Sequence, residues 1–308
     1  MALKVHYARL NSTYHPPLKP MKRKETSGLY KKVRLSWRGC FFCLLGLAVF
    51  SLFHCSRGSA ERGVIVAGST SIQPFADRWA EIYMKIHPGE VVDVQGGGSS
   101  AGIQAAREGS ADIGMSSREL KQEEKDLAEI VVAWDGLAVI VHPRNRIDGL
   151  TVTELQAVFL GKIRNWKEIG GDDHLITVVS REEGSGTRGA FQEMVMKKNR
   201  ISPEAIVQNS NGTVREIVSH DPNSLGYISL GLVDSSVKAL KLDGIHPDYE
   251  NIKKRAYKLI RPFLFVIKGA PKPGAQSFID FVLSADGQAL IKEEGLIPAL
   301  EQEKERIS

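Results

Sequence analysis

With 308 residues and 42% hydrophobic content the chain can bury a sizeable core, and its length predicts two domains rather than one. The formal charge of +5 is unevenly spread: residues 1 to 60 carry 11 Lys/Arg against the single acid Glu25, leaving 30 basic and 35 acidic residues, a formal −5, for 61 to 308. An acidic globular part argues against the backbone neutralisation that nucleic-acid binding needs, so no such partner is expected.

In chain order, the basic excess precedes the apolar run Cys40 to His54 (CFFCLLGLAVFSLFH), which is too short for a membrane span of about 20 residues. Basic residues from Lys22 to Arg38 followed by that run have the layout of a signal peptide, with Met21 as an alternative start. Residues 1–60 are therefore expected to be a leader, removed or disordered. Leu52-Phe53-His54-Cys55 resembles a lipoprotein box, which would make Cys55 a lipid anchor, whereas Gly58-Ser59-Ala60 suits ordinary signal peptidase. All three cysteines, Cys40, Cys43 and Cys55, fall in this segment, so neither a disulfide nor a thiolate metal site is expected after it.

From Gly63 onward, β-branched runs alternate with stretches of helical period, the pattern of an α/β protein with mostly parallel strands. Val64 to Ala67 predicts a strand, about Pro74 to His87 a helix stopped by Pro88-Gly89, and Val91 to Val94 a second strand. Ala101 to Glu108 then predicts a helix and Ala111 to Met115 a third strand. Val131 to Val141 is long enough to cross from one lobe to another. A helix follows at Thr151 to Phe159, capped by Thr151 or Thr153, then a strand at Ile176 to Val179 and a helix over Phe191 to Lys197. Leu225 to Leu230 predicts another strand, Leu259 to Ile267 a return crossing, and Ala275 to Leu283 and Ser284 to Glu294 the closing helices.

Four strand ends carry the chemistry. Ser69-Thr70-Ser71, Ser99-Ser100 and Ser185-Gly186-Thr187 each follow a strand and open a helix, and Ser116-Ser117 ends the third strand. Such junctions gather backbone N–H groups and the positive helix end at one point, with small side chains that let an anion approach. Any one of them is an ordinary capped turn; four together predict a shared oxyanion site. Arg181 adds a planar guanidinium suited to two oxygens at once.

Two other motifs compete. Gly98-Ser99-Ser100-Ala101-Gly102 matches G-x-S-x-G, so a serine hydrolase using Ser100 is an alternative, with Asp135 or Asp221 and His142, His220 or His246 as partners lacking any recognisable context. Gly96-x-Gly98-x-x-Ala101 matches a relaxed dinucleotide fingerprint, but Ser116-Ser117-Arg118 stands where an acidic residue belongs. The dispersed histidines form no metal cluster, and neither cofactor nor metal is expected.

GSTSIQPF (68–75), QGGGSSAG (95–102), ADIGMSSR (111–118), FLGKIRNWKEIGG (159–171), SREEGSGTR (180–188) and NGTVREIV…NSLGYISLG (211–231) together resemble the periplasmic phosphate-binding proteins of Pst-type ABC transporters, over nearly all of the chain after the leader. The resemblance implies a two-lobed type II periplasmic-binding-protein fold with mixed, mostly parallel sheets, flanking helices and two hinge crossings. Residues 61–141 plus 260–308 would form one lobe and 142–259 the other. It implies that Thr70, Ser71, Ser99, Ser117, Arg181, Ser185, Gly186 and Thr187 contact phosphate, that no reaction is catalysed, and that a monomer outside the cytoplasm hands its ligand to a membrane permease. One position departs from the family: Ser117 stands where an aspartate accepts the proton of hydrogen phosphate. Glu182, Glu183 or Asp135 would have to take that role, or selectivity toward sulfate, molybdate, tungstate or arsenate is looser.

Overall fold

The computed structural model describes residues 63–299 and 301; the expected leader, with Cys40, Cys43 and the candidate anchor Cys55, lies outside them. β1 (Val64–Gly68), α1 (Gln73–Ile86), β2 (Val92–Gln95), α2 (Ser99–Glu108) and β3 (Ile113–Ser116) open the fold. β1 lies between β2 and β3 and pairs with both in parallel, so the crossovers must carry helices. Pro74 in the first turn of α1 lacks an N–H that would have no helical partner there, and Phe75, Trp79 and Tyr83 recur on its buried face. α2 begins at Ser99, two residues ahead of the expected start, because Gly98 at φ 92° turns the chain sharply into it.

β4 (Ala128–Val141) extends the expected crossing strand to 14 residues. After β5 (Gly149–Leu150), α3 (Val152–Phe159) is capped by Thr151, whose hydroxyl accepts the Glu154 N–H while the Glu154 carboxylate accepts the Thr151 N–H. β6 (Thr177–Arg181) leads to α4 (Gly186–Phe191), which runs into a π-helical turn over Gln192–Met196. β7 (Ile206–Gln208), α5 (Asn211–His220) and β8 (Ser224–Ser229) follow, then β9 (Lys238–Ala239), β10 (Lys241–Leu242) and α6 (Tyr249–Lys253). β11 (Ile260–Ile267), α7 (Pro273–Leu283), α8 (Ala285–Glu293) and β12 (Ile297–Pro298) complete the described chain.

The main strand order is β2-β1-β3-β11-β4-β8-β6-β7. β4 holds this order together by changing partner along its length: Ala128 to Gly136 pair with β11, and Leu137 to Val141 pair with β8. The switch falls five residues before the Val141 boundary expected from the sequence. Outward from these antiparallel crossings, β3-β1-β2 and β8-β6-β7 are parallel. Each arm has its own core: Val66, Trp79, Tyr83, Met115, Phe265 and Phe278 on one side, Leu137, Phe159, Phe191 and Tyr227 on the other. β7 gave no signal in the sequence because Ile206 and Val207 are exposed and show no buried-face alternation.

Candidate functional site

The loops after β1, β3 and β6 and the start of α2 meet where the two arms join. Within the first arm, Ser69 Oγ donates to Ser117 Oγ at 2.8 Å, Ser117 N–H donates to Ser99 Oγ at 3.1 Å, and Ser99 and Ser117 hydroxyls lie 3.4 Å apart. Across the arms, Ser71 Oγ and Thr187 Oγ1 are 2.7 Å apart, Arg181 Nη2 donates to Thr70 Oγ1 at 3.1 Å, and Ser100 N–H donates to the Gly184 carbonyl at 3.1 Å. Gly186 belongs to the same cluster, since a Cβ built there would stand 2.1 Å from Ser99 Oγ and 2.6 Å from Ser117 Oγ. Thus all eight residues expected from the sequence share one region, although Ser185 also caps α4, its hydroxyl accepting the Arg188 N–H. Thr70 is half-buried; the other seven are buried.

Arg181 supplies the charge. The side chain is fully buried, with Nε and Nη2 donating to both Glu182 carboxylate oxygens at 3.0 Å and further bonds to the Gln208 and Asn209 carbonyls. Nη1 is buried and has no hydrogen-bond partner among the described residues. A buried guanidinium N–H without an acceptor is costly, on the order of 1–3 kcal/mol or more for a charged group, and this one remains free to donate to an acceptor brought to the site. Neighbouring side chains hold the end of β6 in place. Arg188 Nη1 donates to the Arg181 carbonyl, Ser180 Oγ bonds the Tyr227 hydroxyl, and Tyr227 stacks on Phe191 with ring centroids 4.1 Å apart.

The fold also brings in a group that the loop pattern did not signal. Arg261 of β11 and Asp135 of β4 are fully buried partners: Nε and Nη2 both lie 2.9 Å from Asp135 Oδ2, while Oδ1 accepts from Ser229 Oγ and the Leu230 N–H. Burial pushes the Asp135 carboxyl up and draws the Arg261 guanidinium down, and their mutual charge opposes both shifts. Arg261 also reaches the Ser117 carbonyl and Ser71 Oγ, each at 3.2 Å, and Asn211 Nδ2 donates to Ser71 Oγ at 2.8 Å. The sequence signal was present but weak: one arginine inside the apolar run LIRPFLFVI, and an asparagine opening α5.

The PBP superfamily domain model matches residues 56–286. The phosphate-binding protein PstS of Bacillus subtilis is 32% identical over 253 residues, covering 80% of this chain and 84% of that protein. The chain belongs to the PstS phosphate-binding protein family. PstS of Borreliella burgdorferi is 31% identical, over 82% of this chain and 95% of its own length. Among solved structures, one from Clostridium perfringens, described as a phosphate ABC transporter substrate-binding protein with bound phosphate, superposes with a TM-score of 0.75 at 42% identity, covering 77% of this chain and 100% of the other. A phosphate transport receptor from Vibrio cholerae gives 0.66 at 39%, covering 76% of this chain and 99% of the other.

In this PstS-family chain the competing motifs are put to other uses. Ser100 has the Arg118 Nη2 at 3.4 Å rather than a histidine, and the His142 and His220 ring nitrogens bond Arg144 N–H, Ser219 and the Glu216 carbonyl. Arg118 is neither a solvated surface charge nor a free cation: it is buried in a two-pronged pair with Glu124 at 2.7 and 2.8 Å. Of the carboxylates weighed against Ser117, Glu183 is solvent-exposed, Glu182 is taken by Arg181, and Asp135 is taken by two donors on Oδ1 and by the Arg261 guanidinium on Oδ2. No cluster of three or more potential metal ligands occurs among the described residues, and no described helix is long and apolar enough to cross a membrane. A groove of about 860 Å³ runs beside the site, with Arg118 and Lys121 on one wall and Ser185, Arg188 and Arg200 on the other.

Proposed function

We propose that this chain captures inorganic phosphate at the junction of its two arms and passes it, chemically unchanged, to the membrane permease of an ABC importer. The reading is carried by one observation: the unpartnered, buried Nη1 of Arg181 lies in the side chain that bonds Thr70, beside a cluster of hydroxyls and small-residue turns. A tetrahedral oxyanion has acceptor capacity for many such donors, and losing its water shell is offset only where they converge. Thr70, Ser71 through its backbone N–H, Ser99, Ser117, Arg181, Ser185, Gly186 and Thr187 form the binding set in this reading.

The two lobes are joined by the crossings β4 and β11, the first taking β4 as far as Gly136 and the second taking it from Leu137. Neither arm offers enough donors alone, so the anion favours the state in which both arms face it. The mature protein acts as a monomer outside the cytoplasm, either released after residue 60 or tethered through a lipid on Cys55. Calorimetric titration of the purified protein with phosphate tests the reading. One phosphate per chain with micromolar or tighter affinity is expected; no heat of binding, or turnover of phosphate esters in its place, would overturn it.

A further inference from the structure

Ser71 is the branch point between the buried Arg261–Asp135 pair and the anion site, and its hydrogen bonds have a direction that can be worked out. Asn211 Oδ1 accepts the Ser229 backbone N–H at 3.2 Å, a group that can only donate, so the amide is oriented and Nδ2 faces Ser71. Arg261 Nη2 likewise only donates, and it meets the same Ser71 oxygen at 3.2 Å. Both lone pairs of Ser71 Oγ are thus taken by nitrogen donors. Its own proton is left for the third neighbour, Thr187 Oγ1 at 2.7 Å, which must accept it. Thr187, buried at 1% exposure, then keeps its hydroxyl proton to give elsewhere.

We infer that Arg261 and Asn211 are positioning residues that fix the hydroxyl chain Ser71 to Thr187 in one direction, so that Thr187 meets the bound oxyanion as a proton donor and never as an acceptor. The Asp135 carboxylate has the supporting part of holding the Arg261 fork, through Nε and Nη2, at the angle that leaves Nη2 directed at Ser71. The relay also joins the arms: Ser71 follows β1, Asn211 opens α5, Thr187 lies in α4 and Arg261 sits on a crossing strand. An anion at the junction is therefore read through a bond network that is complete only when both arms are in place.

This inference rests on the phosphate reading, and a double-mutant cycle separates the two. Phosphate affinity is measured calorimetrically for the full chain and for Asn211→Ala, Thr187→Val and the double variant. Asn211→Leu, which nearly keeps the volume and removes the Ser71-facing donor without adding charge, serves as a second arm should Asn211→Ala not fold by circular dichroism. With the relay, Thr187→Val weakens phosphate by about tenfold and Asn211→Ala by about fivefold, and the double variant stays near tenfold because Asn211 acts through the Thr187 hydroxyl. Asn211→Leu lowers affinity by about as much as Asn211→Ala, and that loss likewise vanishes in the Thr187→Val background. Independent losses multiplying to about fiftyfold would overturn the relay and leave the phosphate reading standing. A parent chain that binds no phosphate would overturn the reading and the relay's ligand with it.

Discussion

Two arginines lie at the centre of this molecule, each buried and each paired with a carboxylate, yet their roles differ. Arg181 ends β6 in a loop of small residues, its partner Glu182 is about one-third exposed, and one of its nitrogens has no acceptor among the described residues. Arg261 lies within the long strand β11, its partner Asp135 is fully enclosed, and its bonds run to Asp135, Ser117 and Ser71. Burial and charge pairing alone therefore do not separate the two arginines; what differs is the donor that Arg181 leaves unspent among the described residues.

The contrast is sharpest in stability. Arg261→Ala leaves Asp135 enclosed without its counter-charge and is expected to cost about 3–5 kcal/mol in denaturant unfolding, whereas replacing both residues by apolar side chains of similar volume costs far less. A single variant as stable as the parent would erase the distinction between the two arginines. Next in size, Gly186→Ala inserts a methyl group against Ser99 and Ser117 and is expected to weaken phosphate at least tenfold, about 1.4 kcal/mol, by holding the arms apart. Gly186 is not among the glycines with positive φ, so the backbone itself tolerates alanine, and any fall in the melting midpoint reports the crowding against Ser99 and Ser117. Calorimetry and melting on the same preparation separate these two effects.

The smallest effect concerns a third arginine pair. The Arg118 guanidinium beside Glu124 holds its carboxyl below the usual range, helped by the Lys121 N–H and opposed by burial. Because the folded value is depressed, the bridge contributes stability above the ordinary glutamate range, and that contribution is lost as pH falls through the folded value. Melting midpoints of the parent should therefore drop more steeply below about pH 4 than those of Glu124→Gln. Parallel slopes would mean that the pair, although buried, adds nothing that depends on ionisation.

The same contrast explains what the sequence made legible. Ser69, Thr70, Ser71, Ser99, Ser117 and the 185–187 turn each stand where a short β-branched run gives way to small polar residues, so local pattern alone marks them and the structure gathers them. Arg181 was legible because it shares their loop. Arg261 was hidden inside a strand whose other residues are apolar, and its meaning arises only when β11 lies against β4 and sets it opposite Asp135. That is a contact between residues 126 apart in the chain, which no local period can show. Asn211 was hidden differently: it opens a helix, where asparagine is ordinary, and only the orientation of its amide between Ser229 and Ser71 gives it a role.

In this reading the buried Arg181 N–H that lacks a partner among the described residues belongs to a bound oxyanion. Phosphate titration of Arg181→Ala beside the parent tests it most directly. At least a hundredfold loss of affinity, about 2.7 kcal/mol, is expected in a variant that still melts cooperatively. An unchanged dissociation constant in a folded Arg181→Ala protein would contradict it.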